Sequence, residues 1–323
     1  GARPRHLDGM HVDGQTILDS NHMLELTELP KSITIIGGGV IGIEWASLLN
    51  DFGVNVTVIE AGTRIVPTED EDISSELMKL LIKKGIKIYT NAKMDPASIE
   101  QSSTELTVEV DIEGEVKAFT SEKLLLSVGR VANVKGIGIE NTDIVVENGA
   151  IVVNNNFQTA ESHIYAIGDC IGGLQLAHVA AHEGIHAVEH IAGKTEAPID
   201  YKKIARCIYS APEVSSVGLT EKEATMQGIQ VKTGQFPFKA VGKAIVKGEA
   251  EGFVKIIADR DTDDIIGVHM IGPNVTELIS EAALALVLNA TPWEISKMIH
   301  PHPALSEVIG EAALAVDGNA LHF

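Results

Sequence analysis

The chain has 323 residues, of which 45% are hydrophobic and 22% charged, and its formal net charge is −20. This length predicts two domains, or three smaller units, with enough apolar residues for buried cores. The charge argues against nucleic acid and anionic membranes as partners, and no apolar run approaches the roughly 18 residues of a membrane span. The only cysteines, Cys170 and Cys207, form no C-x-x-C motif, which favours a reducing, cytoplasmic location.

Residues 1–28 are of mixed composition and are predicted to form a linker at the end of a preceding domain. The segment after it, ITIIGGGVIGIEWASLLNDFGVNVTVIE, predicts a strand, a helix and a second strand that ends at Glu60. Gly37, Gly39 and Gly42 fit G-x-G-x-x-G, in which the glycines permit a tight turn, close approach of a pyrophosphate and close helix packing. Glu60 is placed to accept hydrogen bonds from the adenine-ribose hydroxyls and to repel the extra phosphate of NADP. We therefore predict an NAD site.

The elements that follow complete a nucleotide-binding domain over residues 29–130. Residues 72–84 show helical spacing of apolar residues, and IKIY predicts a third strand. The alternating stretch LTVEVDIEGEVKAFT predicts an antiparallel hairpin on the parallel sheet, with its turn at Glu113-Gly114. Residues 124–128 predict a buried strand that closes the domain.

Residues 131–200 predict a smaller central segment with strands AIVV and HIYAIGD and the helix LAHVAAHEGIHAVEHIAG. Asp169 ends the second strand beside glycines, where an acid either contacts a ligand or caps a turn; both interpretations remain open. Four histidines recur at every fourth position of the helix, but no carboxylate or cysteine cluster accompanies them. We therefore expect no metal site there.

Residues 201–323 predict a separate α+β domain, because several strands are followed by several helices. The Ala/Leu-rich helix at 278–288 is apolar on most of its circumference, as in a core or a subunit interface. The stretch HPHPALSE, 300–307, contains chemically useful residues. His302 and Glu307 fit an acid/base with its orienting carboxylate, a rigid turn is a second interpretation, and a metal site that includes His300 is a third. Pro303 is expected in the first turn of the next helix.

Four motifs in order carry a family resemblance: GGGVIGIE, IYAIGDC, QLAHVAAHEG and HPHPALSE. The whole chain resembles the flavin-dependent pyridine nucleotide–disulfide oxidoreductases. Within them it is similar to the dihydrolipoyl dehydrogenases, the E3 components of 2-oxo acid dehydrogenase complexes, including the branched-chain type. The resemblance implies an α/β fold with a Rossmann-like NAD-binding domain, the remainder of an FAD-binding domain, and a C-terminal α+β dimerisation domain.

The resemblance also implies roles for individual residues. Gly129 would line the NAD pocket with Glu60 and the three glycines, and Glu44 would face the meeting point of flavin and nicotinamide. Asp169 would bind the FAD ribityl chain, and backbone groups at the start of the long helix would lie near the flavin pyrimidine ring; these belong to Gln175, Leu176, Ala177 and His178.

At the C-terminal motif, His302 would take a proton from dihydrolipoamide while Glu307 holds it, and the His302–Pro303 peptide would be cis. That histidine would serve the disulfide of the other subunit, so a homodimer is implied, with the E2 acyltransferase as a further partner.

The chain departs from the family in two features. It contains neither the glycine motif of the FAD domain nor the redox C-x4-C pair, so we expect it to be inactive alone and to bind FAD weakly or not at all. A related disulfide reductase is an alternative, although Glu60 argues against the NADPH-using relatives. A non-enzymatic NAD-binding and dimerising module is the other.

Overall fold

The structure is a computed structural model that describes residues 1–194 and 197–322. In chain order its strands are β1 (Ala2–Pro4), β2 (Ile17–Asp19), β3 (Ser32–Ile36), β4 (Asn55–Ile59), β5 (Lys87–Tyr89), β6 (Ala92–Met94), β7 (Glu100–Gln101), β8 (Leu106–Ile112), β9 (Glu115–Ser121), β10 (Lys123–Leu126), β11 (Arg130–Ala132), β12 (Val146–Glu147), β13 (Ala150–Ile151), β14 (Arg206–Ile208), β15 (Glu213–Gly218), β16 (Val231–Pro237), β17 (Phe253–Asp259) and β18 (Ile265–Gly272). The helices are α1 (Ser20–Met23), α2 (Val40–Asp51), α3 (Glu71–Lys83), α4 (Ala177–Ile191), α5 (Glu221–Met226), α6 (Gly242–Lys247), α7 (Val275–Val287), α8 (Pro292–Lys297) and α9 (Glu307–Val316).

These elements form two compact units. The smaller contains Gly1–His6 and Val128–Tyr201, and the larger contains Leu7–Ser127 and the chain from Lys202 onward. The larger unit thus holds both the nucleotide-binding segment and the C-terminal segment. The finer division at residues 28, 130 and 200 stays a prediction.

A parallel sheet of order β2-β10-β3-β4-β5 lies in the larger unit. Apolar β-branched residues dominate β3 and β4, and α2 joins them, which confirms the predicted strand–helix–strand unit. The segment expected as a linker contributes the edge strand β2. Three residues are too few to show a periodicity, yet Leu18 is fully buried against β10.

The predicted hairpin is formed by β8 and β9, with positive φ at both Glu113 and Gly114, as a tight two-residue turn requires. It belongs to an antiparallel sheet of its own, with β6 and β7 also paired to β8.

The C-terminal segment forms an antiparallel sheet of order β14-β15-β18-β17-β16, followed by α7, α8 and α9. This order confirms the predicted strands-then-helices arrangement. Helix α9 packs directly on β16 because Gly234 has no side chain; a Cβ there would lie 2.3 Å from the Val316 nitrogen. The short helices α5 and α6 were not predicted.

In the smaller unit, β1 pairs with β11 and β12 with β13. The predicted strand HIYAIGD is wrong: among the described residues it makes only an isolated bridge, Gln158 to Tyr165. The chain instead folds back on itself, with Ala166 N–H donating to the Phe157 carbonyl, and then enters a 3-10 helix at Gly168–Ile171. The predicted strand AIVV is shorter than expected. Across the described part of the chain, no helix is long and apolar enough to cross a membrane.

Candidate nucleotide-binding and acid–base sites

Two of the three motif glycines are required by close packing. Gly37 has φ +108°, and a Cβ there would lie 2.4 Å from the Ser127 carbonyl oxygen. A Cβ on Gly42 would lie 2.0 Å from the Gly37 carbonyl oxygen. Ser127, which the sequence analysis missed, donates its hydroxyl to the Ile36 and Gly37 carbonyls at 3.0 and 3.1 Å. The end of β10 therefore fixes the glycine turn.

Gly39 has a different environment. It is the N-cap of α2, and a Cβ there would meet no atom of the described residues within 4 Å. Its helix also has no side-chain cap within the described chain. The start of α2 therefore has room beside Gly39, and the N–H groups and positive dipole end of a helix without a side-chain cap are suited to binding a pyrophosphate.

Glu60 lies at the carboxyl end of β4 and is tied to this turn. Its Oε2 accepts the Gly38 N–H at 2.6 Å, and its Oε1 accepts the Gly62 N–H at 2.5 Å. Each carboxylate oxygen has a second lone pair, so it can also accept a ribose hydroxyl. The residues present therefore fit a dinucleotide of the NAD type.

The other two residues assigned to this pocket have separate contacts. Glu44 on α2 accepts the Tyr209 N–H at 2.9 Å, and burial raises the pKa of its carboxyl although that hydrogen bond opposes the shift. Gly129 belongs to the smaller unit, has φ +107° and accepts the Arg5 N–H at 2.9 Å. Their roles toward flavin and NAD stay predictions.

The smaller unit brings the predicted flavin-contacting residues together. Asp169 lies in the 3-10 helix against which α4 packs, and the Gln175 side chain donates to the Asp169 carbonyl at 3.4 Å. Leu176 is the N-cap of α4 and makes no side-chain cap hydrogen bond within the described residues, and Ala177 and His178 form the first turn of the helix. An acceptor and a set of N–H donors thus lie side by side, and they fit the polar groups along one side of a flavin cofactor.

Glu183 was missed as the residue that fixes this loop. It is 3% exposed, accepts the Gly168 N–H at 2.7 Å and accepts the Tyr201 hydroxyl at 2.7 Å. Burial and this carboxylate together raise the pKa of Tyr201. An acid on the buried face of α4, four residues from both Val179 and Ala187, was the available signal.

Two of the four helical histidines have separate partners. His186 Nε2 lies 3.2 Å from the Asn156 side-chain oxygen, and His190 Nδ1 lies 2.9 Å from the Tyr165 hydroxyl. Within the described ranges, no group of three or more His, Cys, Asp or Glu side chains is arranged to hold a metal ion.

His302 and Glu307 form a hydrogen-bonded pair. Nδ1 of His302 lies 2.8 Å from Oε1 of Glu307, whose Oε2 accepts the Ala304 N–H at 3.0 Å. Burial alone would raise the pKa of Glu307, but the Ala304 and His302 hydrogen bonds lower it below its usual value. The imidazole is 76% exposed, and its Nε2 is left to exchange a proton with an incoming group. The His302–Pro303 peptide is cis, as the resemblance implies.

Pro303 is not in the first turn of a helix, contrary to expectation. Helix α9 begins only at Glu307, because the residues before it turn back so that the Ala304 N–H reaches the Glu307 side chain.

Two more His–Glu pairs lie nearby. His300 Nε2 is 2.8 Å from Glu281, which raises the pKa of that imidazole against the effect of burial. His322 Nδ1 is 2.7 Å from Glu311. His300 thus has its own carboxylate and does not join the His302 pair, as a shared metal would require. A cavity of about 510 Å³ is lined by residues of all three pairs.

Comparison with known proteins decides the family. The pyridine nucleotide-disulphide oxidoreductase pattern matches residues 1–184, more than half of the chain. The chain belongs to that family. The dimerisation domain of the same oxidoreductases matches residues 204–313. The mixed α/β fold is that of flavoprotein disulfide reductases.

The relatives agree with this assignment. A dihydrolipoyl dehydrogenase of Bacillus subtilis (strain 168) is 62% identical over 323 residues, all of this chain and 68% of that protein. The dihydrolipoyl dehydrogenase of Zymomonas mobilis is 41% identical over 325 residues, all of this chain and 69% of that protein. Among solved structures, LpdA from Mycobacterium tuberculosis superposes with a TM-score of 0.89 at 30% identity, over 97% of this chain and 67% of that one. This chain thus spans about two thirds of the length of these relatives.

Proposed function

We propose that this chain is the NAD-binding and subunit-interface part of a dihydrolipoyl dehydrogenase, which reoxidises the dihydrolipoamide carried by the E2 acyltransferase of a 2-oxo acid dehydrogenase complex. The observation that carries the proposal is the His302–Glu307 pair, at 2.8 Å, in a chain that also contains the glycine turn and Glu60. The relatives with this name supply the substrate class.

Glu60 supports NAD over NADP as the nucleotide. NAD supplies the hydride acceptor when bound. The Glu60 carboxylate would accept the two adenine-ribose hydroxyls, whereas a 2′-phosphate would stand against it. Like charges ~4 Å apart at an effective dielectric of ~20 repel by ~4 kcal/mol.

The acid–base step follows from the geometry of the dyad. Glu307 accepts the Nδ1–H of His302, so Nε2 is the atom that takes the thiol proton of dihydrolipoamide. The resulting imidazolium is stabilised by the adjacent carboxylate, which the Ala304 N–H helps to keep ionised. High exposure of the imidazole suits a substrate that arrives from outside the segment.

The remaining assignments are parts of the same proposal. Asp169 and the start of α4, from Gln175 to His178, would bind FAD, Glu44 would face its junction with nicotinamide, and Gly129 would line the NAD pocket. A cytoplasmic location is consistent with two free cysteines.

The 323-residue polypeptide should not oxidise dihydrolipoamide by itself, even with FAD added. Its cysteines, Cys170 and Cys207, are 37 residues apart and unpaired, and burial raises the pKa of the Cys207 thiol. In the electron path that the resemblance implies, the dithiol reduces an enzyme disulfide before electrons reach flavin and NAD, and this polypeptide supplies no such disulfide. As a polypeptide alone, a nucleotide-binding and dimerising module is therefore the second candidate function.

The test joins this chain to the N-terminal segment of the Bacillus relative and measures NAD-dependent oxidation of dihydrolipoamide. His302→Gln should lower turnover roughly 10²–10⁴-fold, the usual range for a lost acid–base group. His322→Gln is the matched control, since that imidazole makes the same contact to Glu311 and is 69% exposed. Equal rates for the two variants would refute the assigned role of His302.

A further inference from the structure

A row of polar side chains crosses the C-terminal sheet. Arg206, Ser216, His269 and Lys255 occupy directly opposed positions on β14, β15, β18 and β17. Opposed residues of neighbouring strands point to the same face of a sheet. Ser216, His269 and Lys255 are at most 4% exposed, and buried polar groups are costly unless they are paired.

The partners of this row come mainly from the nucleotide-binding segment. Lys255 Nζ lies 3.0 Å from Asp70 and 2.7 Å from both Asp72 and Glu221. Burial alone would lower the pKa of Lys255, but these carboxylates raise it above its ordinary value. Arg206 Nε lies 3.6 Å from Glu69, which is 3% exposed.

The His269 side chain of this row is uncharged. Burial lowers the pKa of His269 and favours the neutral ring, whose Nε2 donates to the Leu219 carbonyl at 2.9 Å. Lys255 and Arg206 are therefore the cations that face Glu69 and Asp70, and Lys255 is the more deeply buried of the two.

Asp70 is the last residue of the loop at residues 61–70, which follows Glu60. Within this loop, Val66 has φ +38°, a left-handed conformation that a β-branched residue rarely adopts. Strained backbone of this kind persists only where the surroundings hold it on both sides. Arg64 donates to the Pro67 and Glu69 carbonyls, both at 2.7 Å, and Val66 is fully buried.

The other side of the loop holds the glycine turn. Val66 N–H donates to the Gly38 carbonyl at 2.8 Å, and Gly38 N–H donates to the Glu60 carboxylate at 2.6 Å. A continuous set of contacts thus runs from Lys255 through Asp70 and the loop to Glu60.

We propose that Lys255 is a positioning residue for nucleotide binding: by holding Asp70, it fixes the loop at residues 61–70 and, through Val66 and Gly38, the carboxylate of Glu60. The C-terminal segment then sets NADH affinity without touching the nucleotide. This inference rests on the proposed role of Glu60 in binding the adenine ribose.

The test is a double-mutant cycle on the full 323-residue chain, read by fluorescence titration with NADH. Lys255→Met and Glu60→Gln should each weaken NADH binding about tenfold, within the usual range for residues of one network. The double variant should bind no more weakly than Glu60→Gln alone, because Lys255 acts through that carboxylate. If Lys255 had a merely structural role, Lys255→Met would weaken NADH binding in the Glu60→Gln variant as well.

Two further variants keep the test decisive. Lys222→Met removes an exposed lysine that lies 3.0 Å from Glu71 at the same helix start, and it should bind NADH like the unmodified chain. If Lys255→Met fails to fold because Asp70 keeps an unpaired buried charge, Lys255→Met with Asp70→Asn replaces it, with the same expected cycle.

Unchanged affinity in the Lys255 variant, or equal weakening with and without Glu60, would overturn the inference while leaving the NAD site intact. Unchanged affinity in Glu60→Gln would instead overturn the role of Glu60 itself, and the two failures are therefore distinguishable.

Discussion

At the scale of single residues, the motif glycines differ in what a Cβ atom would meet at each position. Gly37 and Gly42 are in contact with backbone oxygen, so a larger residue would force the turn and α2 apart. Gly39 faces open space, so its lack of a side chain serves whatever enters that space.

This difference predicts opposite behaviour for two alanine variants. Gly39→Ala should change the free energy of unfolding by no more than about 1 kcal/mol, the scale of an N-cap change, but should weaken NADH binding clearly. Gly42→Ala should lower the free energy of unfolding by about 1–3 kcal/mol, as overpacking does. Urea unfolding and NADH titration of both variants check this, and undiminished NADH binding by Gly39→Ala would speak against the pyrophosphate position.

The glycine turn and the position of Glu60 could be predicted, because the close approach of Gly42 to Gly37 and the hydrogen bond of Glu60 to Gly38 lie within one strand–helix–strand unit. Ser127 and Glu183 could not, since Ser127 contacts a residue 90 positions away and Glu183 contacts one 15 positions away. Residue type alone carries no record of such contacts. A small polar residue at a strand end, and an acid on a buried helix face, are the only local signs.

At the scale of elements, the His300–Glu281 pair joins α7 to the segment that carries His302. The pKa of His300 is raised in the folded chain, mainly by Glu281, with burial opposing and Glu307 adding to the shift. The pair therefore stabilises the fold fully below the ordinary histidine pKa, and this stabilisation is lost as the pH rises through the folded pKa.

Glu281→Gln should accordingly cost about 1–2 kcal/mol at pH 6, the scale of a charged hydrogen bond, and clearly less at pH 9. The measurement is the difference in unfolding free energy between variant and unmodified chain at the two pH values. Glu311→Gln is the control, because its partner His322 is 69% exposed and ion pairs with an exposed partner contribute little to stability. A Glu281→Gln cost that is the same at both pH values would contradict the assignment.

Elements were predictable where several residues repeat a pattern, as in α3, α4 and the C-terminal strands. The stretch HIYAIGD has strand-like composition, but a strand also needs a neighbouring backbone, and the described chain offers Tyr165 only Gln158. The three-residue strand β2 shows the converse, since pairing with β10 determines it more than its own pattern does.

At the scale of the whole molecule, the dimerisation domain leaves large apolar side chains exposed in its final helices and the segment between them. We expect a homodimer, since such surfaces in obligate dimers are large and hydrophobic; the residues are Leu284, Val287, Leu288, Trp293 and Ile299. Light scattering at micromolar concentration should give twice the chain mass of 34.4 kDa, and a monomer mass would count against it.

The organisation into a nucleotide-binding segment and an interface segment was predictable because four different motifs occur along the chain in the order typical of the family. The contacts between these segments were not predictable, because Lys255 of the buried row pairs with Asp70, which lies 185 positions away in the chain. A lysine in a strand and an aspartate before a distant helix give no local sign that they will pair.

Titration of the purified chain with NADH and with NADPH, under identical salt and pH, tests whether Glu60 makes this an NAD site. We expect at least about tenfold tighter binding of NADH, since even part of the charge repulsion at Glu60 exceeds the ~1.4 kcal/mol that a tenfold ratio represents. Glu60→Gln should reduce that ratio markedly. Equal affinity of the unmodified chain for the two nucleotides would contradict the claim.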